Sequence, residues 1–222
     1  MSPPRVLSFS PEAFFALFET YNRAVWPAPL AAYALGLVAL VLVLRPVQGG
    51  GRWVAAILAL MWAWNGIAYH VLFFAEINFI APVFGAAFVL QALLLVWTGV
   101  IRGAIRGGLD FRFRPDPAGW TGLGLAVFAM AVYPLAGWLA GHGWPRAAVF
   151  GIAPCPTTVF TFGLLLLAEG RRPGHLLAIP LAWSLVGGSA GWFLGIPEDF
   201  SLPLAGLAAL GLFIWKSPRA KT

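Results

Sequence analysis

The chain has 222 residues, of which 60% are hydrophobic and 10% are charged, and its mean hydropathy is +0.84. Soluble domains carry about 25% charged residues. The 14 basic and 8 acidic side chains are too few to cover a folded surface in water, which indicates a surface that faces lipid. This excludes a soluble enzyme, a nucleic-acid-binding domain and a disordered chain. The single cysteine excludes an intrachain disulfide and a cysteine-rich metal site.

Apolar runs of the length that crosses a bilayer, about 20 residues, recur along the chain. They predict an all-α, polytopic transmembrane helix bundle with seven spans. The last run is the shortest, at 16 residues, and Pro203 lies near its start. The predicted spans are Ala24–Leu44, Trp53–Ala75, Phe79–Ile101, Ala118–Ala140, Ala147–Ala168, His175–Gly195 and Phe200–Trp215.

Basic side chains are distributed unevenly over the loops between these spans. Seven crossings place the two termini on opposite sides of the membrane. The N-terminal side holds three basic residues and the C-terminal side holds eleven. Because cytoplasmic loops carry the excess of Lys and Arg, we predict that the N-terminus lies outside and the C-terminus in the cytoplasm.

Residues 1–23 are predicted to form an amphipathic helix on the outer leaflet, ahead of a transmembrane domain over residues 24–222. Ser10 is a typical helix cap, and Pro11 suits the first helical position. Phe14, Phe15 and Phe18 would then share one side of the helix. The alternative is that this helix extends the first span.

The predicted spans contain no Asp, Glu, Lys or Arg. Buried ionisable groups mark proton relays, ion-coupled pumps and voltage sensors. Their absence from the spans argues against those classes, against a retinal protein and against an aspartyl membrane protease.

Neutral polar side chains remain inside the spans, and each must find a hydrogen-bond partner there because an unpaired amide is costly in hydrocarbon. Two explanations stay open: hydrogen bonds between helices, or a cavity that binds a solute. Under the second explanation the predicted substrate-binding residues are Asn65, Tyr69, His70, Gln91, Pro154, Thr157, Thr158 and Thr161.

The fifth span carries Pro154 and Pro156, which predict a break in the helix near the middle of the membrane. Broken helices of this kind line substrate sites in transporters. The alternative is an ordinary proline kink whose free carbonyls are satisfied by a neighbouring threonine.

The sixth span carries Gly187, Gly191 and Gly195 at GxxxG spacing. This small-residue stripe predicts close helix packing, either within the chain or against a second copy or a membrane-complex partner.

Titratable groups gather at the outer ends of the spans and in the outer loops. They are expected to be solvated carboxylates, a buried His70 that hydrogen-bonds and a Cys155 that packs as a small core residue. A metal or haem site there is the alternative, although no HxxxH, CxxC or HExxH spacing is present. The group comprises Glu19, His70, Glu76, His142, Cys155, Glu198 and Asp199, and Asn78 lies in the same loop as Glu76.

Three stretches of the sequence carry a family resemblance. They are residues 14–22 with Trp26-Pro27, residues 64–70 with residues 73–78, and residues 150–158 followed by Thr161. Together they resemble a family of bacterial multi-pass membrane proteins of unknown function, some of which carry a permease label. The resemblance implies a bacterial inner-membrane protein and supplies no catalytic residue.

The sequence therefore predicts a permease or channel for a small uncharged or zwitterionic solute. The alternatives are an accessory or assembly subunit of a membrane complex, and a membrane protein that binds a cofactor or metal at the outer His/Glu cluster. No catalytic residue, cofactor or metal is assigned. The expected partners are the lipid bilayer and a small solute, without nucleic acid.

Overall fold

The computed structural model describes residues 8–102, 109–169 and 174–215. Most of them lie in helices. The helices are α1 Pro11–Ala24, α2 Ala28–Leu44, α3 Gly50–Trp64, α4 Ala81–Leu95, α5 Pro117–Val127, α6 Tyr133–Leu139, α7 Pro154–Leu166, α8 His175–Leu194 and α9 Ser201–Trp215.

Several helices continue in wider or tighter turns. Three π-helical segments follow α3, α4 and α5, and two 3₁₀ turns complete the helical path. Wide π turns are rare and frequently lie at functional sites. The π segments are Asn65–Phe73, Val96–Ile101 and Phe128–Val132, and the 3₁₀ turns are Phe74–Glu76 and Pro197–Phe200.

The described residues contain five helices long and apolar enough to cross a membrane, or six if α1 and α2 count as one bent span. The predicted all-α architecture is therefore confirmed, and the length and apolar composition of these helices suggest a membrane protein. The prediction of seven spans is supported only to this extent, and the orientation of the bundle stays a prediction. The five helices run over Gly50–Glu76, Ala81–Ile101, Pro117–Leu139, His175–Leu194 and Pro197–Trp215.

The fifth predicted span differs most from the structure. In place of a helix over residues 147–168, α7 has 13 residues and rises about 20 Å, against a hydrocarbon core of about 30 Å. The helix begins late because Gly151 has a φ of +77°, and Pro154 then occupies the first turn of the helix. The predicted break is present, but it precedes the helix instead of dividing it.

Helix α1 begins as its sequence predicts. Pro11 is its first residue, and the Ser10 hydroxyl accepts a hydrogen bond from the N–H of Ala13 at 3.2 Å. The axes of α1 and α2 differ in direction by 84°. A helix on the membrane surface requires such a bend, although the interfacial position of α1 itself stays a prediction.

Helix α7 forms the centre of the bundle. Every residue in it is buried except Cys155, which is partly exposed. Its backbone approaches α5 closely: a Cβ atom on Gly163 would lie 2.6 Å from the carbonyl oxygen of Gly122. Only glycine fits this contact, so the pair sets how tightly α5 packs on α7.

Loops assigned to the same side by the sequence contact one another. At one end, strand β1 (Asp110–Phe111) pairs antiparallel with β2 (Ala168–Glu169). At the other end, the Ser8 hydroxyl donates to the carbonyl of Ile77 at 3.4 Å, and Nδ1 of His142 lies 3.3 Å from Oε1 of Glu198. We call the second end the acidic end, after Glu198 and its neighbour Asp199.

Candidate functional site

A cavity of about 550 Å³ lies at the acidic end, between α1, the π turn after α3, α7 and α8. This volume falls within the range of about 300–1,000 Å³ that is typical of small-molecule sites. Its wall is mostly apolar and aromatic, with a few polar groups. The larger polar side chains in the wall are Tyr69, Asn78, Tyr133, His142, Arg146, Cys155, Trp183, Glu198 and Asp199.

The two carboxylates of the cavity are buried. Glu198 is 6% exposed and Asp199 is 4% exposed. The hydroxyl of Tyr133 donates to Oδ1 of Asp199 at 2.5 Å, and the Cys155 thiol lies beside the same carboxylate. The sequence prediction of solvated carboxylates is therefore wrong for Glu198 and Asp199, which the 3₁₀ turn Pro197–Phe200 holds in buried positions, whereas Glu76 is exposed.

Small residues make room for these acids. A Cβ atom on Gly191 would lie 2.4 Å from Cβ of Asp199, and one on Gly137 would lie 2.8 Å from Oε1 of Glu198. The glycine stripe of α8 thus packs against the turn before α9 within the same chain. Association of this stripe with a second protein stays a prediction.

His142 lies on the loop after α6, beside the acidic pair. Burial is the main cause that lowers the pKa of His142, and the nearby Arg146 lowers it further. The ring is therefore neutral at pH 7, and its 3.3 Å approach to Glu198 is not a pairing of opposite full charges. The Phe15 ring stacks on the imidazole at 4.7 Å, which holds the side chain in place.

Four polar atoms on the cavity-lining residues have no nitrogen or oxygen hydrogen-bond partner among the described residues. Two are donors, Nε of Arg146 and Nε1 of Trp183, which lies beside the weakly accepting Cys155 thiol. The others are Oε2 of Glu198, an acceptor, and Nε2 of His142. Leaving a buried polar atom unpaired costs about 1–3 kcal/mol. A bound molecule with both donor and acceptor groups would recover that cost.

Aromatic side chains of α1 and the π turn after α3 form the other wall. Phe14 packs edge-on against Phe18 with ring centroids 5.0 Å apart, and Phe18 stacks on Tyr69 at 5.3 Å. Phe74 stacks on Tyr69 at 5.5 Å. This wall offers contact area to an apolar group while the opposite wall offers hydrogen bonds.

The structure brings together only part of the predicted substrate site. Tyr69 and Pro154 line the cavity. His70 is wholly buried behind the wall, edge-on to Trp183 at 5.0 Å, and neither of its ring nitrogens has a partner among the described residues.

The other predicted residues hydrogen-bond to neighbouring protein groups. The Asn65 amide donates to the carbonyls of Met61 (2.8 Å) and Gly151 (3.1 Å). The Gln91 amide donates to the carbonyl of Leu176 at 3.0 Å. The hydroxyls of Thr157, Thr158 and Thr161 each donate to the carbonyl four residues earlier. These contacts support the explanation that the polar side chains hydrogen-bond to other protein groups inside the bundle. A role of these residues in solute binding stays a prediction.

The non-helical segment before α7 is held by side chains from two other elements. Asn22 of α1 donates to the carbonyls of Pro145 (2.7 Å) and Ala147 (2.8 Å), and Tyr21 donates to that of Ile152 (2.7 Å). With the Asn65–Gly151 bond, these contacts satisfy carbonyls that a continuous helix would have paired itself. The segment therefore keeps its irregular path.

Sequence reasoning anticipated part of the cavity. Of the titratable outer group, His142, Cys155, Glu198 and Asp199 line it together with Asn78, whereas Glu19 forms an ion pair with Arg23 within α1. Tyr133 and Trp183 were missed as cavity residues. No group of three His, Cys, Asp or Glu among the described residues is placed to hold a metal ion.

The comparisons with known proteins concern nearly the whole chain. The model of DUF6064, a family of unknown function, matches residues 11–222. The chain belongs to this family. Membership confirms the resemblance to an uncharacterised family and brings no activity with it. No curated protein and no solved structure matches the chain.

Proposed function

We propose that this protein of the DUF6064 family is a permease of the bacterial inner membrane that binds a small uncharged or zwitterionic solute at the acidic end. The observation that carries the proposal is the set of unpartnered, buried polar atoms in the wall of the 550 Å³ cavity. Two of the helical stretches that are long and apolar enough to cross a membrane, Gly50–Glu76 and α8, contribute to its wall, which supports a solute site partway into the bilayer.

The chemistry of the wall selects the class of solute. Trp183 and Arg146 offer donors, and Glu198 offers an acceptor. A solute that carries both donors and acceptors pairs with them without adding net charge. The rest of the wall is mostly apolar and offers an ion little to replace its hydration, which favours a solute without net charge.

Within this proposal, the deeper polar residues support the site instead of contacting the solute. Asn65 and Thr157 hold the segment before α7 and its first turn through the carbonyls of Gly151 and Ala153. Tyr69 and Pro154, which were predicted from the sequence, line the cavity itself.

A flux assay with a matched pair of variants tests the proposal. The protein is reconstituted into vesicles, and the entry of glycerol, urea and glycine is followed by vesicle swelling. We expect at least one of these solutes to enter faster than into protein-free vesicles. Trp183→Phe removes the indole donor and lowers that flux by about fivefold, since a hydrogen bond contributes roughly 1 kcal/mol.

The control is Trp192→Phe on the same helix. Trp192 is 71% exposed and does not line the cavity, so the same substitution there leaves the flux unchanged. An equal loss of flux in both variants would mean that the substitutions destabilise the protein in general and do not act on the cavity. Flux no faster than in protein-free vesicles for all three solutes would contradict the proposal.

A second candidate, a cofactor-binding or enzymatic role, rests on the contact between the Cys155 thiol and Asp199. The visible absorption spectrum of protein purified in mild detergent from its native membrane tests it. A band beyond the tryptophan absorption would support this candidate, and a spectrum without one removes haem and flavin. Purification in a fixed complex with another protein would instead support the accessory-subunit alternative.

A further inference from the structure

The cavity at the acidic end reaches the apolar surface of the bundle. Four of its lining residues are also exposed there: Val186 and Phe193 on α8, and Phe79 and Ile80 just before α4. Phe79 is 80% exposed. The opening between α4 and α8 is therefore bordered by apolar side chains and not by charged ones.

The depth of this opening places it beside lipid. Val186 precedes the end of α8 at Leu194 by about 12 Å along the helix axis, at a rise of about 1.5 Å per residue. Helix α8 is one of the helices long and apolar enough to cross the membrane. At that depth the neighbouring medium is hydrocarbon, so the border at Val186 faces acyl chains.

The two walls of the cavity differ in the same way as the two halves of an amphiphile. Trp183, Glu198 and Asp199 form the hydrogen-bonding wall. Phe14 and Phe74 belong to the aromatic wall, with ring centroids 6.2 Å apart. A molecule with a polar head and an apolar tail would satisfy the unpartnered atoms with its head and contact the aromatic rings with its tail.

We propose that the cavity also admits amphiphiles, which have an uncharged or zwitterionic head and an apolar tail and enter from the bilayer, sideways between α4 and α8. This inference rests on the proposed function, because it names the class of solute for the same cavity. The head lies against Trp183 and Glu198, and the tail leaves the cavity past Val186 and Phe79.

Protection of a single thiol tests the lateral route. Ser189 lines the cavity near its opening and is exposed, so Ser189→Cys in a Cys155→Ser background places one reporter thiol there. The variant is incorporated into lipid nanodiscs, and its alkylation by N-ethylmaleimide is timed. The probes are 1-dodecanol, at a fixed mole fraction of the lipid, and glycerol or glycine in the buffer.

We expect 1-dodecanol to slow the alkylation, by roughly tenfold when its concentration is about ten times its dissociation constant. Val186→Trp narrows the opening and reduces this protection. Leu185→Trp is the matched control, because Leu185 is 68% exposed on the same helix but does not line the cavity. Protection is the ratio of the alkylation rates without and with the probe, measured for each variant. Differences in intrinsic thiol reactivity between the variants therefore cancel. If Val186→Trp does not fold, Val186→Phe makes the same test.

The outcomes separate this inference from the proposed function. Protection by glycerol or glycine but not by 1-dodecanol would overturn the lateral route and leave a water-soluble solute in the same cavity. Protection by 1-dodecanol that is equal in the Val186 and Leu185 variants would also overturn the route. Protection by none of the three probes would contradict both the route and the proposed function.

Discussion

The amide of Asn22 is one of the side chains that hold the irregular segment before α7, and Asn22→Leu removes it. Asn22 is fully buried, and its Nδ2 donates to the carbonyls of Pro145 at 2.7 Å and Ala147 at 2.8 Å. Leucine has the same branched heavy-atom skeleton as asparagine and no polar atom in its side chain, so the main change is the loss of these two hydrogen bonds.

The expected loss in the free energy of unfolding depends on how deeply each of the two hydrogen bonds is buried. Hydrogen bonds between membrane helices average about 0.6 kcal/mol. A buried carbonyl left without a partner costs more, about 1–3 kcal/mol. The bond to Ala147 is buried and the bond to Pro145 is partly buried. We therefore expect Asn22→Leu to lower the free energy of unfolding by about 2–4 kcal/mol.

Reversible unfolding in mild detergent, followed by far-UV circular dichroism, measures this change. The control is Thr20→Val on the same helix, because the Thr20 hydroxyl is exposed and donates only to the carbonyl of Ala16 at 3.1 Å. We expect a change within about 0.5 kcal/mol for the control. An equally small change for Asn22→Leu would refute the conclusion that this amide holds the segment.

Three further predictions concern α7 and the acidic end. Gly163→Ala forces a Cβ atom within 2.6 Å of a carbonyl oxygen and lowers the melting temperature by several degrees, whereas Gly124→Ala, with nothing within 4 Å, does not. Tyr133→Phe leaves Asp199 without its phenol donor and destabilises the fold by about 1–3 kcal/mol in the same unfolding assay. The lowered pKa of His142 means that the fold favours the neutral ring. The contribution of His142 to folding stability is therefore complete above the usual pKa of about 6.5 and is lost as the pH falls from that value towards the lowered pKa. His142→Gln, which stays neutral, therefore loses less stability than the unsubstituted protein between about pH 7 and pH 5, and an equal loss in both would contradict this assignment.

The apolar helices could be predicted from the sequence because their signal is local. Runs such as Phe79–Ile101 and His175–Gly195 lie within two residues of the helical stretches Ala81–Ile101 and His175–Leu194. The path of residues 147–153 could not be predicted in this way. Its turns depend on hydrogen bonds from Asn22 and Asn65, which are distant in the sequence.

The cavity was harder to predict because its acids break the usual rule that carboxylates are exposed. Glu198 and Asp199 are buried because Tyr133 donates to one of them and because Gly191 and Gly137 leave room for both. The only local signal was the position of the acids between Pro197 and Phe200 in a stretch with few other polar residues. Sequence spacing alone could not show that a loop after α6 approaches them.

The flux of glycerol, urea and glycine into vesicles that contain Trp183→Phe, beside vesicles that contain Trp192→Phe, tests the central claim most directly. The account predicts that a solute which enters through the unsubstituted protein enters about fivefold more slowly through Trp183→Phe and at an unchanged rate through Trp192→Phe. Equal flux through both variants and the unsubstituted protein would contradict the claim that solute binds at the acidic end.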